Sequence, residues 1–280
     1  MSVKTVGLLA NDSKPAAQEA AVGLAKQLRQ RGVSVRMPPD YSDDEIARSD
    51  FVVVFGGDGT VLAAARLVAQ KGTPLLAIHL GRFGFVTEAS PETLEAAVTD
   101  ALEGRCEVHE RMLLAGAIFR GGSTTSEEHL VAVNDIVVAS GAVRMVHVHT
   151  CVGNDAIANY AADGVIVSSP TGSTGYSLSA GGPLVHPDVR ALMITPIAPH
   201  TLSARPLLVP DTETIYLTVE TQTRDTVAVT ADGQTGIALT PGDTVAVSRG
   251  PYNVRLLAAG GPNFYQKIRS RWHYAERLSG

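Results

Sequence analysis

Phe51-Val52-Val53-Val54-Phe55-Gly56-Gly57-Asp58-Gly59-Thr60-Val61-Leu62 decides the fold: five apolar, β-prone residues, a glycine-rich turn, then the start of a helical pattern. A strand that hands over to a helix through such a turn is half of a βαβ unit, and sheets built from these units bind ligands where their strands end. The same alternation continues on both sides. Residues 3–9 and 33–37 read as strands. Between them Ala17, Ala20, Ala21, Leu24, Ala25 and Leu28 recur every three or four residues on one helical face, and Gly32 is placed to end that helix. Beyond the turn, residues 61–70 read as a helix and 73–79 as a strand, and Ser90-Pro91 opens a helix over 92–102 that Gly104 closes. The expectation over residues 1–105 is an α/β domain with a Rossmann-like parallel sheet.

From about Arg105 the helical spacing fades. β-branched runs at 131–138, 146–152, 164–168, 215–220, 227–230 and 244–248, separated by Gly, Asn and Asp, predict packed antiparallel sheets. They define a β-rich, β-sandwich-like C-terminal domain over 106–262, interrupted by one helical candidate at 175–180. The tail, 263–280, is expected to pack back, helical over 263–277.

The 280 residues, 45% of them hydrophobic, suffice for real cores. A formal charge of −5 and a pI near 5.9 argue against a nucleic-acid or anionic-membrane partner, which needs clustered Lys and Arg. Any phosphate must be held locally. No apolar stretch approaches the roughly 20 residues of a membrane span. Two distant cysteines, Cys106 and Cys151, and a start unlike a signal peptide point to the cytoplasm.

In the turn, Gly56, Gly57 and Gly59 let backbone N–H groups approach a phosphate, and Thr60 is placed to cap a helix whose positive end favours the same anion. Asp58 is out of place among phosphate ligands. It suits a group that takes a proton from, or orients, a hydroxyl nucleophile, the alternative being an Asp that merely caps the helix. A dinucleotide fingerprint would need glycine where Leu62 stands, and a P-loop would need Gly-Lys-Ser/Thr.

The turn resembles the GGDGT signature shared by NAD kinases, diacylglycerol and sphingosine kinases and, more loosely, phosphofructokinases. Pro170-Thr171-Gly172-Ser173-Thr174-Gly175-Tyr176-Ser177-Leu178-Ser179-Ala180-Gly181-Gly182-Pro183 narrows the choice, because it resembles the NAD kinase segment usually written PTGSTAYSLSAGGP. Further similar blocks are Leu80-Gly81-Arg82-Phe83-Gly84-Phe85, Val133-Asn134-Asp135, Thr195-Pro196-Ile197-Ala198-Pro199-His200, Ser203-Ala204-Arg205-Pro206 and Asp232-Gly233-Gln234. They stand in the family's order.

The resemblance implies a kinase that phosphorylates the 2'-hydroxyl on the adenosine ribose of NAD with ATP to give NADP. It implies Asp58 as general base and, with Gly59 beside it, as an NAD contact, and Asn134 and Asp135 as further NAD ligands. Asp163 would reach the dinucleotide, across a subunit interface if the assembly requires it, and Thr171, Thr174, Gly175, Tyr176, Ser177, Leu178 and Ser179 would line the adenine and ribose pocket. Ala198 and Gln234 would complete the site, with Arg144 preferred over Met145 for one more contact. A homodimer or homotetramer is implied. Three positions depart from the family pattern: Gly175 for the usual Ala, Asp135 for the more usual Glu, and Ala161 where some members carry a basic residue.

Phosphoryl transfer asks a protein mainly for alignment and charge stabilisation. The expected arrangement sets the triphosphate over Gly56, Gly57, Gly59 and Thr60 and NAD along the β-rich domain, with Asp58 at their meeting point. No Asp, Glu or His cluster has metal-site spacing, so Mg²⁺ is expected to arrive with ATP. His147 and His149 read as a solvated strand face, His200 as a loop-ordering residue, both cysteines as small apolar fillers, and Arg269, Arg271 and Arg277 as a solvated face. The competing readings are a lipid kinase, which would lack the 171–183 segment, and a dinucleotide sensor without chemistry.

Overall fold

The computed structural model describes residues 3–81, 84–87, 89–126, 128–141, 145–220 and 227–272. The chain forms two compact units, Met1–Glu110 with Val254–Gly280 and Arg111–Asn253.

The first unit alternates as the opening stretch predicts: β1 (Thr5–Ala10), α1 (Pro15–Gln30), β2 (Ser34–Arg36), α2 (Asp43–Ala47), β3 (Phe51–Phe55), α3 (Asp58–Ala69), β4 (Leu75–Ile78), a 3-10 turn (Pro91–Thr93) and α4 (Leu94–Leu102). The strands pair in parallel in the order β2-β1-β3-β4. Every residue of β3 is buried, as a central parallel strand covered on both faces requires. Phe51, Val53 and Phe55 share a core with Leu24 and Leu28 of α1 and Val98 of α4. The other face meets α2: a Cβ on Gly7 would lie 2.8 Å from Val52 and 3.0 Å from Ile46. Gly32 and Gly104 end α1 and α4 with φ of 76° and 68°, as expected. The short α2 has no signal in periodicity. Its start is fixed by Ser42, whose N–H donates to Glu45 Oε2 (2.9 Å) while Glu45 N–H donates to Ser42 Oγ (3.4 Å).

Thereafter come β5 (Glu107–Phe119), β6 (Glu128–Ala132), β7 (Asp135–Ser140), β8 (Val146–Val152), β9 (Asp155–Ala162), β10 (Gly164–Ser168), a 3-10 turn (Thr171–Thr174) and α5 (Tyr176–Ser179). They are followed by β11 (Ala191–Ile197), β12 (Leu207–Pro210), β13 (Ile215–Val219), β14 (Val227–Ala231), β15 (Gln234–Leu239), β16 (Thr244–Ala258) and α6 (Phe264–Trp272). In the second unit a six-stranded antiparallel sheet runs β12-β11-β10-β7-β14-β15. A second set pairs β9-β8-β13-β16, also antiparallel. Ile136, Val138, Val165, Val167, Leu192 and Val229 of the former share one core with Val146, Val148, Ile215, Leu217, Val245 and Val247 of the latter. This is the predicted sandwich-like packing, in which each such side chain contributes about 1.5–3 kcal/mol of burial.

Two expectations change in detail. The run at 131–138 is two strands, broken at Val133-Asn134 by a turn. The run at 244–248 continues to Ala258 through Gly250-Pro251. Those residues read as breakers, yet Gly250 serves close packing: a Cβ there would meet Leu113 at 3.2 Å.

Candidate active site

In the first unit β1 leads out to β2 on one side and β3 leads to β4 on the other, so the carboxyl ends of β1 and β3 flank the switch point where such sheets bind ligands. Gly56 through Thr60 leave β3 at that point. Asn11 leaves β1 beside it, its N–H donating to Phe55 O and its Nδ2 to Thr60 Oγ1, both at 3.0 Å. Thr60 therefore does not cap α3, because Gly57 is the N-cap residue and Asp58 already occupies the first helical turn. Gly56 is required by packing: a Cβ would lie 2.5 Å from Thr60 Oγ1. Around Gly57 and Gly59 a Cβ would meet nothing within 4 Å, and neither has a positive φ. Their lack of side chains leaves the N-terminal end of α3 open.

The Asp58 carboxylate is held by a neighbouring loop. Oδ2 accepts the N–H of Phe85 at 3.1 Å and Oδ1 the N–H of Val86 at 3.3 Å. Gly84 makes the approach possible, since a Cβ there would lie 1.9 Å from Asp58 Oδ1. The fully buried Thr87 braces the loop by accepting the N–H of Gly84 at 2.9 Å. Arg82 and Phe83 lie outside the described residues.

In the second unit the residues expected to bind NAD fall at two ends of β10. At its Ser168 end, which pairs with Asp135, stand Asn134, Asp135, Thr171, Thr174, Gly175 and Gln234. The Asn134-Asp135 turn is clamped from several directions. Asp232 accepts the N–H groups of Val133 (3.1 Å), Asn134 (2.7 Å) and Asp135 (3.4 Å), and its own N–H donates to Asp135 O at 2.9 Å. Asp232-Gly233 is the two-residue turn between β14 and β15, with φ of 51° and 67°, which suits a type I' hairpin. Ser169 adds N–H to Asn134 O (2.9 Å) and Oγ to Val133 O (2.5 Å). Gly172 closes the packing, since a Cβ would lie 2.1 Å from Asn134 O.

Burial, and then the charge of Asp232, pushes the Asp135 carboxyl up from 3.8 to about 7. Asn134 Oδ1, Ser168 Oγ and Thr171 Oγ1 are buried in the same region without a hydrogen-bond partner. Each such group costs about 1–3 kcal/mol when left unsatisfied. Thr174 Oγ1 donates to Thr171 O at 3.2 Å, while Ser177 is buried with its hydroxyl 2.9 Å from Thr195 Oγ1. Tyr176 and Ser179 are exposed on α5, with Leu178 half-buried between them.

Asp163 and Ala198 lie at the other end of β10. Asp163 is exposed, its N–H donates to Ile197 O at 3.0 Å, and Ala198 follows with φ 44°. Four steps along the strand, from Gly164 to Ser168, separate this end from the Asn134 end, about 14 Å. Arg144 lies outside the described residues; Met145, the other candidate, is exposed. Among the described residues no three His, Cys, Asp or Glu side chains converge as metal ligands, and no helix is long and apolar enough to cross a membrane. Asn11, Gly84, Ser169 and Asp232 have no assigned role in the sequence reading. Gly84 and Asp232 stand within blocks that resemble the family's, and the Asp232-Gly233 pair is a turn signal that could have found Asp232.

Residues 39–106 match the model of the ATP-NAD kinase N-terminal domain, and residues 133–259 that of the ATP-NAD kinase C-terminal domain. The chain is 41% identical over 279 residues to the NAD kinase of Heliobacterium modesticaldum, covering 95% of this chain and 98% of that protein. It is 39% identical over 281 residues to that of Moorella thermoacetica, covering 96% and 89%. Among solved structures it is similar to yeast NADH kinase complexed with NADH (TM-score 0.92, 25% identity, 100% and 91% covered). It is also similar to an NAD kinase from Archaeoglobus fulgidus in complex with ATP (TM-score 0.78, 27% identity, 95% and 99% covered). With both domain models matched in order and such identity along nearly its whole length, the chain belongs to the NAD kinase family.

Proposed function

We propose that Asp58 is the general base in the reaction of this family, transfer of the γ-phosphoryl group of ATP to the 2'-hydroxyl on the adenosine ribose of NAD. The observation that carries this reading is a carboxylate fixed by two backbone N–H groups at the start of α3, beside glycines that leave the helix end open. Open N–H groups at a helix N-terminus favour an anion, which suits a triphosphate over Gly56, Gly57, Gly59 and Thr60. The 2'-oxygen attacks the γ-phosphorus, its proton passes to Asp58, and the bond to the β-phosphate oxygen breaks to release ADP. The divalent cation, Mg²⁺ in this reading, enters as part of the MgATP substrate. Three unpartnered buried oxygens beside the Asn134-Asp135 turn suit the hydroxyl and amide groups of NAD.

Asp163 and Ala198, about 14 Å along β10 from that turn, suit either the far end of the dinucleotide or the site of a second subunit. We therefore read the enzyme as a homodimer or homotetramer, and keep Arg144 as one further contact to NAD. The two free thiols, Cys106 and Cys151, suit a reducing compartment, on which ground we assign the cytoplasm. The test is the purified protein with ATP, Mg²⁺ and NAD, with NADP read by a glucose-6-phosphate dehydrogenase couple and lipid acceptors run in parallel. NADP formation without lipid phosphorylation is expected. No NADP at saturating substrates would contradict the reading.

A further inference from the structure

Lys267, on α6, is buried, which is rare for lysine and costly unless the ammonium is hydrogen-bonded. Its Nζ donates to Phe85 O and Thr87 O, both at 3.1 Å. One turn further along the same helix, the Arg271 guanidinium lies 5.3 Å from the centre of the Phe85 ring. So α6 grips the 84–87 loop by its backbone and by a side chain.

The decisive feature is which peptide group is gripped. The carbonyl of Phe85 and the N–H of Val86 belong to one planar amide. Its oxygen accepts from the Lys267 ammonium, and its N–H donates to Asp58 Oδ1. A cation on the oxygen polarises the amide and strengthens what its N–H donates, so ammonium, peptide and carboxylate form a cooperative chain. Thr87, whose carbonyl takes the second ammonium hydrogen bond, is the residue whose hydroxyl holds Gly84 N–H. Gly84 in turn sits against the Asp58 carboxylate.

We propose that Lys267 is a positioning residue for Asp58, acting through the Phe85–Val86 peptide and the Gly84–Thr87 loop. The proposal rests on the reading of Asp58 as general base. Lys267 touches no substrate in this scheme. It fixes where the carboxylate points, so its removal affects the chemical step more than NAD binding.

The test compares wild type, Lys267→Met, Lys267→Gln, Lys267→Arg and Asp58→Asn in the full chain, with kcat and the KM for NAD from the coupled NADP assay and folding checked by thermal unfolding. Lys267→Met, which keeps the apolar stem and removes the donors, is expected to lower kcat by about tenfold or more while KM stays within about twofold. Lys267→Arg, which keeps a cation able to span two carbonyls, is expected to recover kcat to within about threefold of wild type. If Lys267→Met does not fold, Lys267→Gln is read in its place, with the same kcat loss expected. Wild-type kcat in the folded variant, with Asp58→Asn inactive, overturns the role of Lys267 and leaves that of Asp58 standing. Equal changes in kcat and KM without rescue by arginine also overturn it. An active Asp58→Asn removes the reading on which the proposal rests.

Discussion

Asp135 is a buried carboxyl beside a second carboxylate, Asp232, whose oxygens are taken by three backbone N–H groups. The folded chain therefore keeps a proton on Asp135 up to about pH 7, while the unfolded chain releases it near 3.8. The folded-state value is the raised one, so this residue's contribution to stability is complete below about pH 4 and is lost as pH rises through about 7. The loss amounts to about 4 kcal/mol between about pH 4 and about pH 8. Asp135→Asn cannot titrate. Its unfolding free energy by urea denaturation is expected to gain on wild type as pH rises across that range; a constant difference would contradict the account.

At this scale the sequence was informative about chemistry and silent about support. Asp58, Asn134 and Asp135 stand out because their blocks match a family pattern in order. Asp232 acts on backbone N–H groups of a turn up to 99 residues earlier, a contact that no spacing encodes. Asn11 and Gly84 are similar, since each matters only for what approaches it from another element.

The tight element in the second unit is the 3-10 turn at Thr171–Thr174, pressed against the turn between β6 and β7. Gly172 within it and Gly175 just after it differ sharply in what surrounds them. A Cβ on Gly172 would lie 2.1 Å from Asn134 O, backbone against backbone, so Gly172→Ala must displace the proposed NAD-binding turn. We expect it to cost about 2 kcal/mol or more in unfolding free energy and to raise the KM for NAD. A Cβ on Gly175 would meet Gly172 O at 3.3 Å and Asn134 Nδ2 at 3.4 Å, with φ −99° acceptable to any residue. Gly175→Ala is expected to stay within about 1 kcal/mol of wild type and to keep turnover. Reversal of that order would contradict the packing described. Strands β8 and β10 and helix α3 were legible because their patterns are long or bounded by glycine and asparagine. The five-residue α2 was not, being shorter than a periodic signal, and β16 was foreshortened because Gly250 and Pro251 look like breakers out of context.

For the whole molecule, the change from helical to β-branched spacing near Arg105 announced an α/β region followed by a β-rich one, and both architectures are present. The return of the chain at Val254 to the first unit was harder to read. Residues 254–258 have the same β-branched and leucine-rich character as the strands before them, and composition does not say which sheet a strand joins. Function follows the same division, with phosphoryl chemistry proposed for the first unit and recognition of NAD for the second.

The central claim is that Asp58 does chemistry and adds little to NAD affinity. It is tested most directly in Asp58→Asn, with turnover from the NADP-coupled assay and NAD affinity from calorimetry on the same preparation. The account predicts that kcat falls by roughly 10² to 10⁴, the usual contribution of a general base, while NAD affinity stays within about threefold. Turnover near that of wild type would contradict it.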